Sequence, residues 1–233
     1  MPSPAVYRSP RTTATVATVL LVVCGAVTLF RLVADVLLYG AAGDLPASVP
    51  FGDETAFGAP FALSLLAFLL YYLALAGSAA AFITWFYRVR VNAEVLNPHG
   101  HRRGRGWAIG AWFTPVVCFW FPRQIAQDVW QAGARPDALG VREPLSETVL
   151  NLWWATFWLA NILSRAGTQI TDGARFPDDY QQGVVWMIGS DLSELAAAVF
   201  AVLVVRKVTA MQEERSAENI ARIYGSAVPV AGS

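Results

Sequence analysis

The sequence predicts an all-α membrane protein. Four transmembrane helices form an antiparallel bundle, and a proline-broken re-entrant or interfacial segment, residues 107–130, sits on the cytoplasmic side. Three observations predict it. First, 55% of the 233 residues are hydrophobic and 15% charged, with a mean hydropathy of +0.44. Ordinary soluble domains carry about 25% charged residues. Second, several apolar runs approach the ~20 residues that cross ~30 Å of hydrocarbon. Third, basic residues gather in alternate loops, as cytoplasmic loops do.

Each element follows in order. Residues 1–12 are a short cytoplasmic tail with Arg8 and Arg11. The first span, about 13–39, contains TVLLVVCGAVTLF. A cleavable signal has an apolar region of about 7–15 residues, so this longer run reads as a retained anchor. The second span, 60–87, carries small residues four apart, Ala74 with Ser78 and Gly77 with Ala81, which suit close helix packing. The third, 148–165, contains VLNLWWATFWLANILSR, and the fourth, 184–205, carries Asp191 and Glu194. The membrane domain thus runs 13–208, and the tail 209–233 continues the last helix briefly before partial disorder. Cys24 and Cys118 lie in apolar runs and read as small buried side chains.

Residues 107–130 decide the topology. As a helix, Trp107 to Pro122 measures about 24 Å, short of a crossing, and Pro115 interrupts its centre. If the segment returns to its own side, the inner loops and tails hold 14 basic residues and the outer loops hold one, Arg175. If it crosses, the split is eight against seven. The returning path is therefore expected, with both termini cytoplasmic. Its exit, RQIAQDVWQAG, reads as an amphipathic helix on the inner surface. Trp85, Trp107, Trp130, Trp153 and Trp154 would line that interface.

Several motifs resemble a known family. They are WFYRVRVNA, with Trp85, Arg88, Arg90 and Asn92, and GWAIGAWFTP, with Trp107, Gly110, Trp112 and Pro115. Pro122, Trp130, the pair Trp153–Trp154 and the closing VRKVTAMQ (205–212) complete the pattern. Together they resemble the bacterial multi-pass membrane proteins catalogued as domain of unknown function 4328, common in actinobacteria. The resemblance covers about 60–212 and implies a bacterial plasma-membrane location. It implies no activity.

Charged side chains inside a membrane are costly and often functional. Five candidates arise: Arg31, Asp35, Arg165, Asp191 and Glu194. Arg31 and Asp35 share one helix face, as do Asp191 and Glu194. Glu194 would lie ~16 Å from the outer end of a helix starting at Val184. These groups form an outward-facing polar pocket for a proton or cation, or else structural pairs between helices. Asp191 and Glu194 also fit a helix-capping box. Asn161 is a candidate partner for the Tyr71 and Tyr72 hydroxyls.

A basic inner loop gathers His99, His101, Arg102, Arg103 and Arg105. It is read as a topology determinant touching anionic headgroups, or else as a docking surface for a cytoplasmic protein. Two histidines alone make a poor metal site. No nucleotide-binding loop, HExxH or nucleophile elbow occurs. Neither a metal, a cofactor nor a nucleic acid is expected. The function expected is non-enzymatic membrane assembly or partner binding. The alternative is a small transporter or channel component that uses the charged pocket.

Overall fold

The computed structural model describes residues 5–46, 57–135 and 142–225. Among the described residues the regular elements are helices: α1 (Arg11–Gly43), α2 (Ala59–Leu96), α3 (Trp107–Phe113), α4 (Phe121–Ala132), α5 (Thr148–Asp172) and α6 (Pro177–Gly225). A 3-10 turn, Val117–Phe119, joins α3 to α4. α1, α2 and α6 are long and apolar enough to cross a membrane. α5 is not among them. It runs on past Arg165 to Asp172, and Asn151, Asn161 and Gln169 dilute its apolar content. α6 extends at both ends beyond 184–205, so Glu194 lies about 26 Å along it. The end of the tail, 226–233, where disorder was expected, lies outside the described residues.

The chain forms two compact units, and α1, α2, α5 and α6 contribute to both. The span unit comprises Val19–Ala79 and Asn151–Val202. In its stretch of α1 small or polar residues point inward: Cys24, Thr28, Ala34 and Asp35 are buried. Val19, Val22, Leu29 and Val33 face outward. Large apolar groups outside and small ones inside is the pattern of helices solvated by lipid. α5 and α6 approach closely at Gly167 and Gly183. A Cβ on Gly183 would stand 2.9 Å from the Thr171 nitrogen, and one on Gly167 would stand 2.9 Å from the Gly183 carbonyl oxygen. Ser190 reinforces the contact by donating to the Ala160 carbonyl at 2.9 Å.

The hairpin unit comprises residues 1–18, 80–150 and 203–233. Its centre is the 107–130 segment, which is not one helix. Pro115 has no N–H and clashes with the preceding turn, so α3 stops at Phe113 and Thr114 turns extended at φ −92°, ψ 117°. Val116 then adopts φ 67°, ψ −54°, and the Val117 N–H donates to the Pro115 carbonyl at 2.8 Å. This is a γ-turn, rare and strained for a β-branched residue. Pro122 sits in the first turn of α4, where a missing N–H costs nothing. α4 packs back against α3. No residue of α4 is exposed, so it does not lie open on a surface as its amphipathic pattern suggested. Arg102 and Arg103 of the 99–105 loop cover one side of α4, and residues 145–147 bond Arg123, Gln127, Trp130 and Gln131 along it.

Candidate functional site

The span unit brings together four of the five charged side chains that the sequence places within spans: Arg31, Asp35, Asp191 and Glu194. Arg31 Nε donates to Asp191 Oδ1 at 2.6 Å, and an Arg31 Nη donates to Glu194 Oε2 at 2.9 Å. The Tyr71 hydroxyl donates to Glu194 Oε1. The Arg31 guanidinium lies 3.9 Å from the Tyr71 ring centre. Ser64 Oγ donates to Asp35 Oδ1 at 3.0 Å. Helix spacing explains the convergence. Arg31 and Asp35 share a face of α1, and Asp191 and Glu194 share a face of α6. Asp191 is 1% exposed and Asp35 4%. Asp191 Oδ2 has no hydrogen-bond partner among the described residues. Asp191 and Glu194 share the one guanidinium, and the buried Asp35 lies one helical turn from Arg31 on α1, so surplus negative charge remains when all three are ionised. Burying it is costly, so the arrangement has the capacity to hold a proton.

Arg165 does not join this cluster; it is exposed on α5. Asn161 does not meet Tyr71 either, since its amide donates to the Phe157 carbonyl on its own helix. Tyr71 and Ser64 are the members that sequence reasoning missed. Tyr71 had been noted only as a hydroxyl in need of a partner, and nothing in Ser64's neighbourhood distinguishes it.

The hairpin unit explains why the motifs occur together. Trp85 Nε1 donates to Thr209 Oγ1 at 3.1 Å. Asn92 Nδ2 donates to Gln212 Oε1 at 3.1 Å, and Gln212 Nε2 donates to the Val89 carbonyl at 2.8 Å. The WFYRVRVNA and VRKVTAMQ motifs are thus two halves of one buried lock between α2 and α6. Asn92 also reads the chain's start: its amide donates to the Arg8 carbonyl at 2.8 Å, and its oxygen accepts from the Arg8 N–H at 3.0 Å. Arg90, 2% exposed, pairs with Glu94 at 2.9 Å and donates to the Arg103 carbonyl. Arg88 is half-buried, and a Cβ on Gly110 would meet open space. Trp112 packs edge-on against Phe82 and Phe86, and Trp107 against Phe121. Fully buried Trp130 donates to the Ser146 carbonyl at 3.2 Å. In the span unit, Trp153 meets Trp154 with ring centres 5.5 Å apart.

The basic loop is knitted into the fold. Arg102 donates to both oxygens of buried Asp128 at 2.9 Å. Arg103 stacks 3.9 Å over Phe121, and Arg105 pairs with Glu94 at 2.5 Å. His99 is exposed. His101 is half-buried, and burial followed by the Arg90 charge lowers its pKa from the usual histidine value. Burial pushes the Glu147 carboxyl up, but hydrogen bonds from Arg123, Gln131 and Gln127 outweigh that and hold it below the ordinary glutamate range. Among the described residues no group of three His, Cys, Asp or Glu is placed to hold a metal ion. The outer face of the hairpin is apolar: Ile109, Phe113, Val116, Phe119 and Trp120 are all exposed.

Comparison with curated proteins and with solved structures gives no match. A family model does match, over residues 52–210, and its bounds take in both Trp85 and its partner Thr209 as well as the hairpin between them. The chain belongs to that family, described as domain of unknown function DUF4328.

Proposed function

We propose that this is a bacterial plasma-membrane protein with four spans and cytoplasmic termini, and that it works by binding a partner protein. α5, at 25 residues and about 37 Å, serves as the fourth span. The 107–121 segment dips into the inner leaflet and returns. One observation carries the binding reading. The motif residues Trp85, Asn92 and Trp112 are spent on internal contacts, and what they hold outward is the aromatic, apolar face of the hairpin. A rigid aromatic face without a catalytic pair suits docking by another membrane helix. The test places a photo-crosslinking amino acid at Phe113 in the native host. Discrete protein adducts are the expected result, and adducts to lipid alone would count against partner binding.

A second reading rests on the Arg31–Asp191–Glu194–Tyr71 cluster, which supports proton or cation movement. It is tested by Glu194→Gln in proteoliposomes. Proton or cation flux in the wild type that the substitution abolishes would support it, and unchanged flux would remove its basis.

A further inference from the structure

The basic loop was expected to meet anionic headgroups, yet its arginines have acidic or aromatic partners of their own. Arg102 is on Asp128, Arg105 on Glu94 and Arg103 on Phe121. Elsewhere in the hairpin unit Arg123 pairs with Glu147 and Arg135 with Glu214. Arg206 and Lys207 differ. Both are exposed, and neither has an acidic partner among the described residues. They line one open cleft of about 450 Å³ together with Leu203, Ala210 and Val149. Lys207 is held in place, its ammonium 4.9 Å from the centre of the buried Trp130 ring.

We propose that this cleft is a binding site for one anionic phospholipid. The argument is charge complementarity joined to polarity that changes along the cleft. Arg206 and Lys207 are adjacent on α6 where its apolar run ends, VLVV giving way to RK. A phosphate there meets a guanidinium that can bond it in two places and an ammonium fixed by cation–π attraction. Leu203, one turn earlier, and Val149 supply an apolar wall for the glycerol backbone and the first methylenes of an acyl chain. A free phosphate would use only the cations, whereas a phospholipid fills both ends. The site rests on the membrane reading and is independent of partner binding by the hairpin.

The test is a native mass-spectrometric titration of the full chain in neutral detergent. Phosphatidylglycerol is compared with phosphatidylcholine of the same chains and with glycerol phosphate. Phosphatidylglycerol is expected to bind tightest, and glycerol phosphate not to compete at equal concentration. The double variant Arg206→Gln/Lys207→Gln should weaken phosphatidylglycerol roughly thirtyfold, the ordinary combined effect of two cations at an anionic membrane. It should leave phosphatidylcholine unchanged. Arg222→Gln, an exposed cation further along α6, should change neither. The exchange Arg206→Lys/Lys207→Arg keeps both charges and should retain phosphatidylglycerol. Equal binding of the two lipids, wild-type binding by the double Gln variant, or an equal loss in Arg222→Gln would overturn the site. Full competition by glycerol phosphate would reassign it to free phosphate.

Discussion

Arg31 links Asp191 and Glu194 in the span unit, and Tyr71 lies against its guanidinium. Its charge and its forked shape both matter there. Arg31→Gln leaves buried carboxyls facing each other, and breaking such a pair costs about 3–5 kcal/mol. The expected result is a large drop in thermal stability in detergent. Arg31→Lys keeps charge but not the fork, so it should fall between the two. Equal stability of all three would contradict the pairing. Val116 makes the opposite case. It is 63% exposed and holds a positive φ, so its side chain contributes little packing and costs strain. Val116→Gly should therefore raise stability by about 1 kcal/mol, read from the unfolding midpoint.

The titratable groups of the hairpin unit predict an acid-sensitive fold. The His101 pKa is lowered in the folded state, so stability is full above the unfolded histidine value of about 6.5 and declines as pH falls through the folded value. The groups facing it are Arg90, Asp128 and Glu94. Glu147 is also lowered, so its contribution is present above about pH 4.3 and is lost as pH falls through its folded value. Unfolding midpoints should fall between pH 7 and 5 in the wild type, and His101→Gln should flatten that portion alone. A slope unchanged in His101→Gln would assign it to other groups.

At the scale of elements, the tightest statement concerns α5 and α6. Gly183 faces the Thr171 backbone so closely that a Cβ would meet nitrogen, which cannot move aside as a flexible side chain can. Gly183→Ala should destabilise by about 1–3 kcal/mol. Gly110→Ala, where a Cβ meets open space, should be neutral or slightly stabilising in α3. Paired melting curves check both. The contrast also bears on what the motifs could reveal. Gly110 lies in a recognisable motif and Gly183 does not, yet the steric requirement is at Gly183. Sequence periodicity shows where a helix runs. It does not show which glycine a second helix will press against, because that depends on the crossing point.

At the scale of the molecule, the arginine distribution predicts the path through the membrane. Cysteine placed at exposed Glu143 should react with a membrane-impermeant maleimide only after permeabilisation, and cysteine at Arg175 should react from outside in intact cells. Labelling of Glu143→Cys in intact cells would invert everything after the hairpin. α5 makes this measurement decisive, since its length allows a crossing and its polar residues weaken it.

The sequence by itself determined the helical class, three of the long apolar helices and the break at Pro115. These follow from local physics: hydropathy over twenty residues, a missing N–H, and the clash of a proline ring with the turn before it. It also showed that Arg31 and Asp35, or Asp191 and Glu194, share helix faces. Only the tertiary structure decided that these faces meet while Arg165 stays outside. It alone joined Trp85 to Thr209 and Asn92 to Gln212. It spent the loop arginines on Asp128, Glu94 and Phe121 and left Arg206 and Lys207 at the cleft. The reason is one of range. Helix formation is set by neighbours within four residues, whereas a buried ion pair is set by rotation and register between helices more than a hundred residues apart, which local periodicity does not encode.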